Sequence, residues 1–309
     1  MHQHTHFQEL IQIMRNDKLF GLGVALVTPF KDDNTIDYSA LSKLLALIIE
    51  GGVDYIVVAG TTGEPPTMSA TEKAELRSFI VKEVNNKVPL VLGLGGNSTE
   101  SVVNEIKNTD LSGFDSILSI SPYYNKPNQR GIYAHFAEIA KNSPLPVIAY
   151  NVPGRTSRNI DSQTIVKLAN DFKNIVAVKE ASGNMMQVME IMKNKPEDFM
   201  VISGDDALTL PMMSVGVSGV ISVAANVVPK QMKKMLSLAF DGKFAEASDI
   251  HYKLLDLMNA LFEDGSPAGA KAALNFLGFC KENLRLPLVA VCDQTREKIK
   301  TALNKALTA

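Results

Sequence analysis

Residues 146–178 read PVIAYNVPGRTSRNIDSQTIVKLANDFKNIVAV and hold two short apolar, β-rich runs, Pro146–Tyr150 and Ile175–Val178, whose starts lie 29 residues apart. That interval is the length of one βα unit. Working outward, similar runs occur at Val24–Val27, Tyr55–Val58, Pro89–Leu92 and Ser116–Ile120, and again at Met200–Ile202 and Gly219–Val223. The eight starts are separated by 31, 34, 27, 30, 29, 25 and 19 residues. Between the runs, apolar residues recur at helical spacing, as in Leu41, Leu44, Leu45, Ile48 and in Val102, Val103, Ile106. The runs are apolar on both faces, as parallel strands are when helices cover one side and further core fills the other. Eight such units predict an α/β fold, a closed (β/α)8 TIM barrel in preference to an open sheet. Beyond about residue 230 the strand signal stops and helical periodicity takes over, in Gln231–Phe240, Phe244–Phe262, Ala268–Phe279 and Thr295–Leu307. The expected organisation is an N-terminal extension over 1–19, a barrel over 20–240 and a C-terminal helical domain over 241–309.

The chain of 309 residues carries 31 Lys and Arg against 33 Asp and Glu, a net charge of −2, so no bulk positive field exists to hold nucleic acid or an anionic membrane. The longest apolar stretch, Val215–Val228, is interrupted by Ser218, Ser222 and Asn226, and no run of 18 apolar residues occurs. No basic segment followed by an apolar core marks a signal peptide. The two cysteines, Cys280 and Cys292, form neither a disulfide framework nor a CxxC metal motif, which points to a reducing cytoplasm. His2, His4 and His6 alternate near the N-terminus, where a solvated tail is a better reading than a metal site.

In a barrel of this kind the chemistry sits at the C-terminal ends of the strands. After the second run comes Gly60-Thr61-Thr62-Gly63-Glu64, a turn able to bind a carboxylate or simply to cap the next helix. After the third, Gly93-Leu94-Gly95-Gly96-Asn97 resembles a phosphate loop, but Ser98 breaks the full GxGxxG pattern. The fourth is followed by Ser121-Pro122-Tyr123-Tyr124-Asn125-Lys126-Pro127, with two tyrosines that packing alone does not demand. The fifth ends in Tyr150-Asn151-Val152-Pro153-Gly154-Arg155-Thr156, whose guanidinium suits a substrate carboxylate or a neighbouring acid. The sixth, Val176-Ala177-Val178-Lys179-Glu180-Ala181-Ser182-Gly183, drives a lysine to the end of an apolar run. Such a lysine is either half of a structural ion pair or a nucleophile. A free lysine is only about 0.1% amine at neutral pH, whereas an apolar site lowers its pKa by several units. Lys179 could then attack a ketone, and a nearby tyrosine could move protons as the imine forms.

Taken together, GTTGE at 60–64, YYNKP at 123–127, YNVPGRT at 150–156 and VKEASG at 178–183 closely resemble the dihydrodipicolinate synthase family. This family lies within the superfamily that also contains N-acetylneuraminate lyase, and the resemblance covers about residues 20–309. It implies that Lys179 forms a Schiff base with pyruvate, whose enamine attacks L-aspartate 4-semialdehyde before cyclisation releases the lysine. It further implies that Tyr150 is the general acid/base, connected through Thr61 to Tyr124, the last reaching in from a neighbouring subunit. Thr62 would hold the pyruvate carboxylate, Arg155 the carboxylate of the aldehyde, and the backbone of Gly204 and Ile221 would line the pocket. The implied protein is a homotetramer, a dimer of dimers, in the diaminopimelate and lysine pathway. It needs no metal and no cofactor, and no nucleic acid or membrane partner. Arg155 favours this chemistry over the sugar-acid lyases of the superfamily, which generally lack it.

One departure touches regulation. Members inhibited by lysine usually carry a histidine and a glutamate at the positions of Lys73 and Ser101, in a cleft to which Asn97 and Tyr123 also belong, so feedback inhibition is expected to be weak or absent here. Leu94, where many members have threonine, is a second departure. The alternatives are another class I aldolase or lyase, acting on N-acetylneuraminate or a 2-keto-3-deoxy sugar acid, and a non-catalytic keto-acid-binding barrel.

Overall fold

The computed structural model describes residues 18–309. The histidine trio and most of the expected N-terminal extension lie outside the described residues. The eight strands are β1 (Gly21–Ala25), β2 (Tyr55–Val58), β3 (Leu90–Gly93), β4 (Ser116–Ile120), β5 (Val147–Asn151), β6 (Ile175–Glu180), β7 (Met200–Ser203) and β8 (Gly219–Ser222). They follow one another in chain order around a closed barrel, the (β/α)8 architecture expected from the spacing of the apolar runs. Helices alternate with the strands, and four more, Pro229–Phe240, Phe244–Ala260, Ala268–Phe276 and Asp293–Ala306, follow β8.

The chain falls into two compact units, one comprising residues up to Pro89 together with Ser222–Ala309, the other Leu90–Ile221. In the first, β1 pairs in parallel with β2, with Gly23 opposite Tyr55. Gly23 has to be glycine, because a Cβ there would lie 2.2 Å from the Tyr55 ring. The helix Tyr38–Glu50 buries Leu41, Leu44, Leu45 and Ile48, the stripe its spacing predicts, and starts where Asp37 accepts the backbone N–H of Ala40 at 3.0 Å. Asn226, one of the polar breaks in the apolar stretch, bonds the backbone around the end of β1: it donates to the Ala25 carbonyl at 2.8 Å and accepts from Val27 N at 3.1 Å. A buried amide there satisfies backbone groups that the ladder leaves over. The last expected helix but one ends at Phe276, short of Phe279, because Gly278 takes a φ of +76° and Phe279 N turns back to the Leu274 carbonyl at 2.9 Å.

In the second unit, β3 to β8 pair successively and in parallel. Here β6 runs two residues beyond the expected Val178, and β5 and β7 each run one residue further than expected. The ladder continues past the apolar run because Tyr150 pairs with Lys179, and Asn151 with Glu180. Polar side chains therefore sit inside the strands, buried, and not on the turns after them.

Candidate active site

Lys179 is the centre of the second unit's strand ends. Its side chain is 6% exposed, and Nζ stands 4.4 Å from the centroid of the Tyr150 ring. The pairing of β5 with β6 explains the proximity, since laterally opposed residues of a parallel pair share a face. Burial brings the Lys179 amine down to about 7; Asp206, itself buried, opposes that change and Arg155 adds to it. Nζ makes no ion pair with a carboxylate among the described residues, so the ion-pair alternative for this lysine is not what the fold builds. Burial raises the Tyr150 phenol to about 12, with Arg155 acting the other way, so near neutral pH it is a proton donor.

Arg155 lies in the short helix Pro153–Thr156, exposed and without a carboxylate partner among the described residues. The fork is open to a ligand acid, and its charge already bears on both Lys179 and Tyr150. Gly204 follows β7, and a Cβ there would lie 2.7 Å from Ala181 Cβ and 3.0 Å from Lys179 Cε. Only glycine leaves room for the lysine stem to lie along this backbone. Ile221 is buried in β8.

Sequence reasoning quoted Glu180 but gave it no role. It is buried, and its carboxylate accepts from Asn151 Nδ2 at 3.1 and 3.0 Å, from Gln187 Nε2 at 2.9 Å and from Ser182 N at 2.7 Å. Asn151 Oδ1 accepts from Ile160 N at 2.9 Å, while Asn159 bonds both Asn151 and Gln187. One buried anion held by neutral donors thus ties β5, β6, the 152–160 loop that bears Arg155, and the helix Met185–Asn194 into a rigid frame. The signal available in sequence was a charged residue directly after the lysine, too generic to reveal its partners.

The loop after β4 presents Tyr124 at a φ of +70°, 85% exposed, with Tyr123 39% exposed. Arg158 Nη2 donates to the Lys126 carbonyl at 3.1 Å and holds this loop to the segment after Arg155. Of the residues assigned to the regulatory cleft, Asn97 is half-buried, whereas Ser101 is exposed on the helix Thr99–Asn108, its N–H directed at the Ser98 cap. Leu94 is buried.

The first unit carries Thr61 and Thr62 in a 3-10 turn, Thr61–Gly63, that follows β2; Thr62 is buried and Thr61 half-buried. Gly63 N donates to the Gly60 carbonyl at 2.9 Å, and Thr28 Oγ1 donates to the Gly63 carbonyl at 2.9 Å. Lys73 is half-buried on the helix Ala70–Val84 of the same unit. Among the described residues no three His, Cys, Asp or Glu side chains gather as metal ligands would, and no helix is long and apolar enough to cross a membrane.

The profile of the dihydrodipicolinate synthetase family matches residues 18–306. A 4-hydroxy-tetrahydrodipicolinate synthase of Parabacteroides distasonis is 49% identical over 94% of this chain and 98% of its own length. Another of that name, from Azobacteroides pseudotrichonymphae, is 50% identical over 94% and 98%. The crystal structure of a dihydrodipicolinate synthase from Thermotoga maritima superposes with a TM-score of 0.92 at 38% identity, covering 95% of this chain and all of that one. With the family profile matched over residues 18–306 and relatives about half identical over 94% of its length, the chain, a closed parallel barrel with a buried lysine beside a buried tyrosine, belongs to the dihydrodipicolinate synthetase family.

Proposed function

We propose that this protein condenses pyruvate with L-aspartate 4-semialdehyde through a Schiff base on Lys179, the 4-hydroxy-tetrahydrodipicolinate synthase reaction. The observation that carries the proposal is the Lys179 amine, buried, unpaired and brought to about 7, in contact with the face of Tyr150. At neutral pH about half of such a lysine is free amine, against about 0.1% of an ordinary one. The amine adds to the pyruvate ketone carbon, the Tyr150 phenol protonates the departing hydroxyl as water, and an iminium remains. Loss of a C3 proton gives the enamine, whose C3 forms the new C–C bond to the aldehyde carbon. The amino group of the second substrate then attacks the imine carbon, closing the ring as the bond to Lys179 breaks. The iminium is the electron sink, so the reaction calls for no metal or organic cofactor.

Arg155, exposed and unpaired, suits the carboxylate of the aldehyde substrate. Thr62 is assigned to the pyruvate carboxylate, Gly204 and Ile221 to the pocket backbone, and Thr61 with Tyr124 to the proton route, as the family resemblance implies. The exposure of Tyr124 supports its donation to a neighbouring subunit; a homotetramer acting in the cytoplasm is what the family resemblance implies. The test is turnover of pyruvate with L-aspartate 4-semialdehyde by the native chain, Lys179→Ala and Arg155→Leu. Activity lost in both variants, with pyruvate still trapped on Arg155→Leu by borohydride, is the expected result. A native protein that is trapped by pyruvate but silent with this aldehyde moves the assignment to sugar-acid aldehydes. One that is not trapped at all is a keto-acid-binding barrel.

A further inference from the structure

The turn that carries Thr61 and Thr62 is bracketed by two non-glycine residues in the left-handed region, Ala59 at a φ of +53° and Glu64 at +60°. Such backbone persists only where the surroundings hold it. What holds Glu64 lies far along the chain. Its Oε1 accepts from Lys271 Nζ at 2.5 Å and its Oε2 from Arg285 N at 3.3 Å, and the Glu64 and Lys271 side chains are both fully buried. Lys271 Nζ also donates to the Asn283 carbonyl at 2.8 Å and stands 4.2 Å from the centroid of the Phe30 ring. The Arg285 guanidinium lies 4.4 Å from the same centroid and donates to the Thr67 carbonyl at 2.9 Å and the Asn34 carbonyl at 2.6 Å, and it pairs with Glu72. The backbone on both sides of Glu64 is thus fastened: the turn through the Glu64 carboxylate, and the following residues through Thr67.

A fully buried ion pair is a poor means of stabilisation, because packed apolar side chains of similar volume do as well or better. What it adds is direction, since Nζ meets a carboxylate, a carbonyl and a ring face at fixed places. We propose that Glu64, Lys271 and Arg285 are positioning residues: a clamp from the C-terminal helical segment that sets the Thr61–Thr62 turn for the carboxylate of the keto acid. The proposal rests on the reading of Thr62 as a pyruvate contact. Without the clamp the turn relaxes out of the left-handed geometry at Glu64, and the keto acid is bound less well although Lys179 is untouched.

The experiment is borohydride trapping of pyruvate on the full-length protein, read by intact mass across pyruvate concentrations, alongside the urea midpoint of each variant. The single variants Lys271→Met and Glu64→Gln should be destabilised, each leaving one buried charge without its counter-charge. The double variant Glu64→Gln/Lys271→Met should recover stability over the worse single variant yet require about tenfold more pyruvate for half-maximal trapping than the native chain. If trapping returns to the native concentration as stability returns, the pair is merely structural and the proposal fails. Arg285→Lys, which keeps the buried pair but cannot reach Asn34, Thr67 and Glu72 together, should raise the half-saturating pyruvate about threefold. No rise in that variant also overturns the proposal, including where the double variant does not fold. A native chain that pyruvate does not label overturns the Schiff-base reading itself and the clamp with it, whereas labelling that is equal in native and variant chains overturns the clamp alone.

Discussion

Lys179→Met removes a buried amine while keeping an unbranched stem of similar length, and it should stabilise the protein at neutral pH while abolishing its chemistry. In the unfolded chain lysine titrates near its ordinary value of 10.5; in the native site burial brings it to about 7. Between those two pH values the unfolded state binds one proton more than the native state, so native stability rises with pH across this window by about 1.4 kcal/mol per pH unit. Below pH 7 both states are protonated and the full difference, about 3.5 pH units or about 5 kcal/mol, opposes folding. The variant carries no such penalty. Its advantage over the native chain should therefore fall by about 3 kcal/mol between pH 6 and pH 9. Urea unfolding of both proteins at pH 6, 7.5 and 9 measures this, because titrating groups remote from Lys179 are common to the pair and cancel in the difference. An advantage that stays constant with pH, or grows, refutes the reasoning: it would mean that the amine keeps its charge in the native site and that the barrel interior around β6 solvates it.

The remaining predictions concern the frame around this lysine and the regulatory cleft. Asn151→Asp places a second carboxylate about 3 Å from that of Glu180, and it should cost about 3–5 kcal/mol at pH 7. A urea midpoint that the substitution leaves unchanged contradicts this. Asn184 caps the helix Met185–Asn194, accepting from Met186 N at 3.0 Å and Gln187 N at 3.2 Å, so Asn184→Ala should cost about 1 kcal/mol in the same assay. L-Lysine should not inhibit at micromolar concentrations, since the family resemblance implies a histidine and a glutamate at the positions that Lys73 and Ser101 occupy in this sequence. Steady-state inhibition in that range would show that Asn97 and Tyr123 suffice.

The barrel was legible because parallel strands covered on both sides write themselves as uninterrupted apolar runs, and the intervals between the runs measure whole βα units. Strand ends were less legible, and the reason is specific: Asn151, Lys179, Glu180 and Ser203 continue the ladder although they are polar, so hydropathy stops one or two residues before the hydrogen bonds do. Lys179, the residue proposed for the chemistry, is one of them. A carboxylate buried in a strand needs partners from elsewhere, and the partners of Glu180 are neutral amides and a backbone N–H that no charge pattern advertises. The partner of Glu64 stands 207 residues away in sequence. Lys179 is conspicuous in sequence as a lysine at the end of an apolar run, and in the structure its Nζ makes no ion pair among the described residues, the buried Asp206 acting on it only through its charge. The two situations are physically opposite. A buried amine that meets a carboxylate holds backbone in place; one that meets none is driven by burial toward its neutral, nucleophilic form. The same chain builds both, with Lys271 at 2.5 Å from a carboxylate and Lys179 over a phenol ring, and this difference in partners, which sequence alone does not display, is what supports the proposed positioning role for one lysine and the proposed reaction at the other.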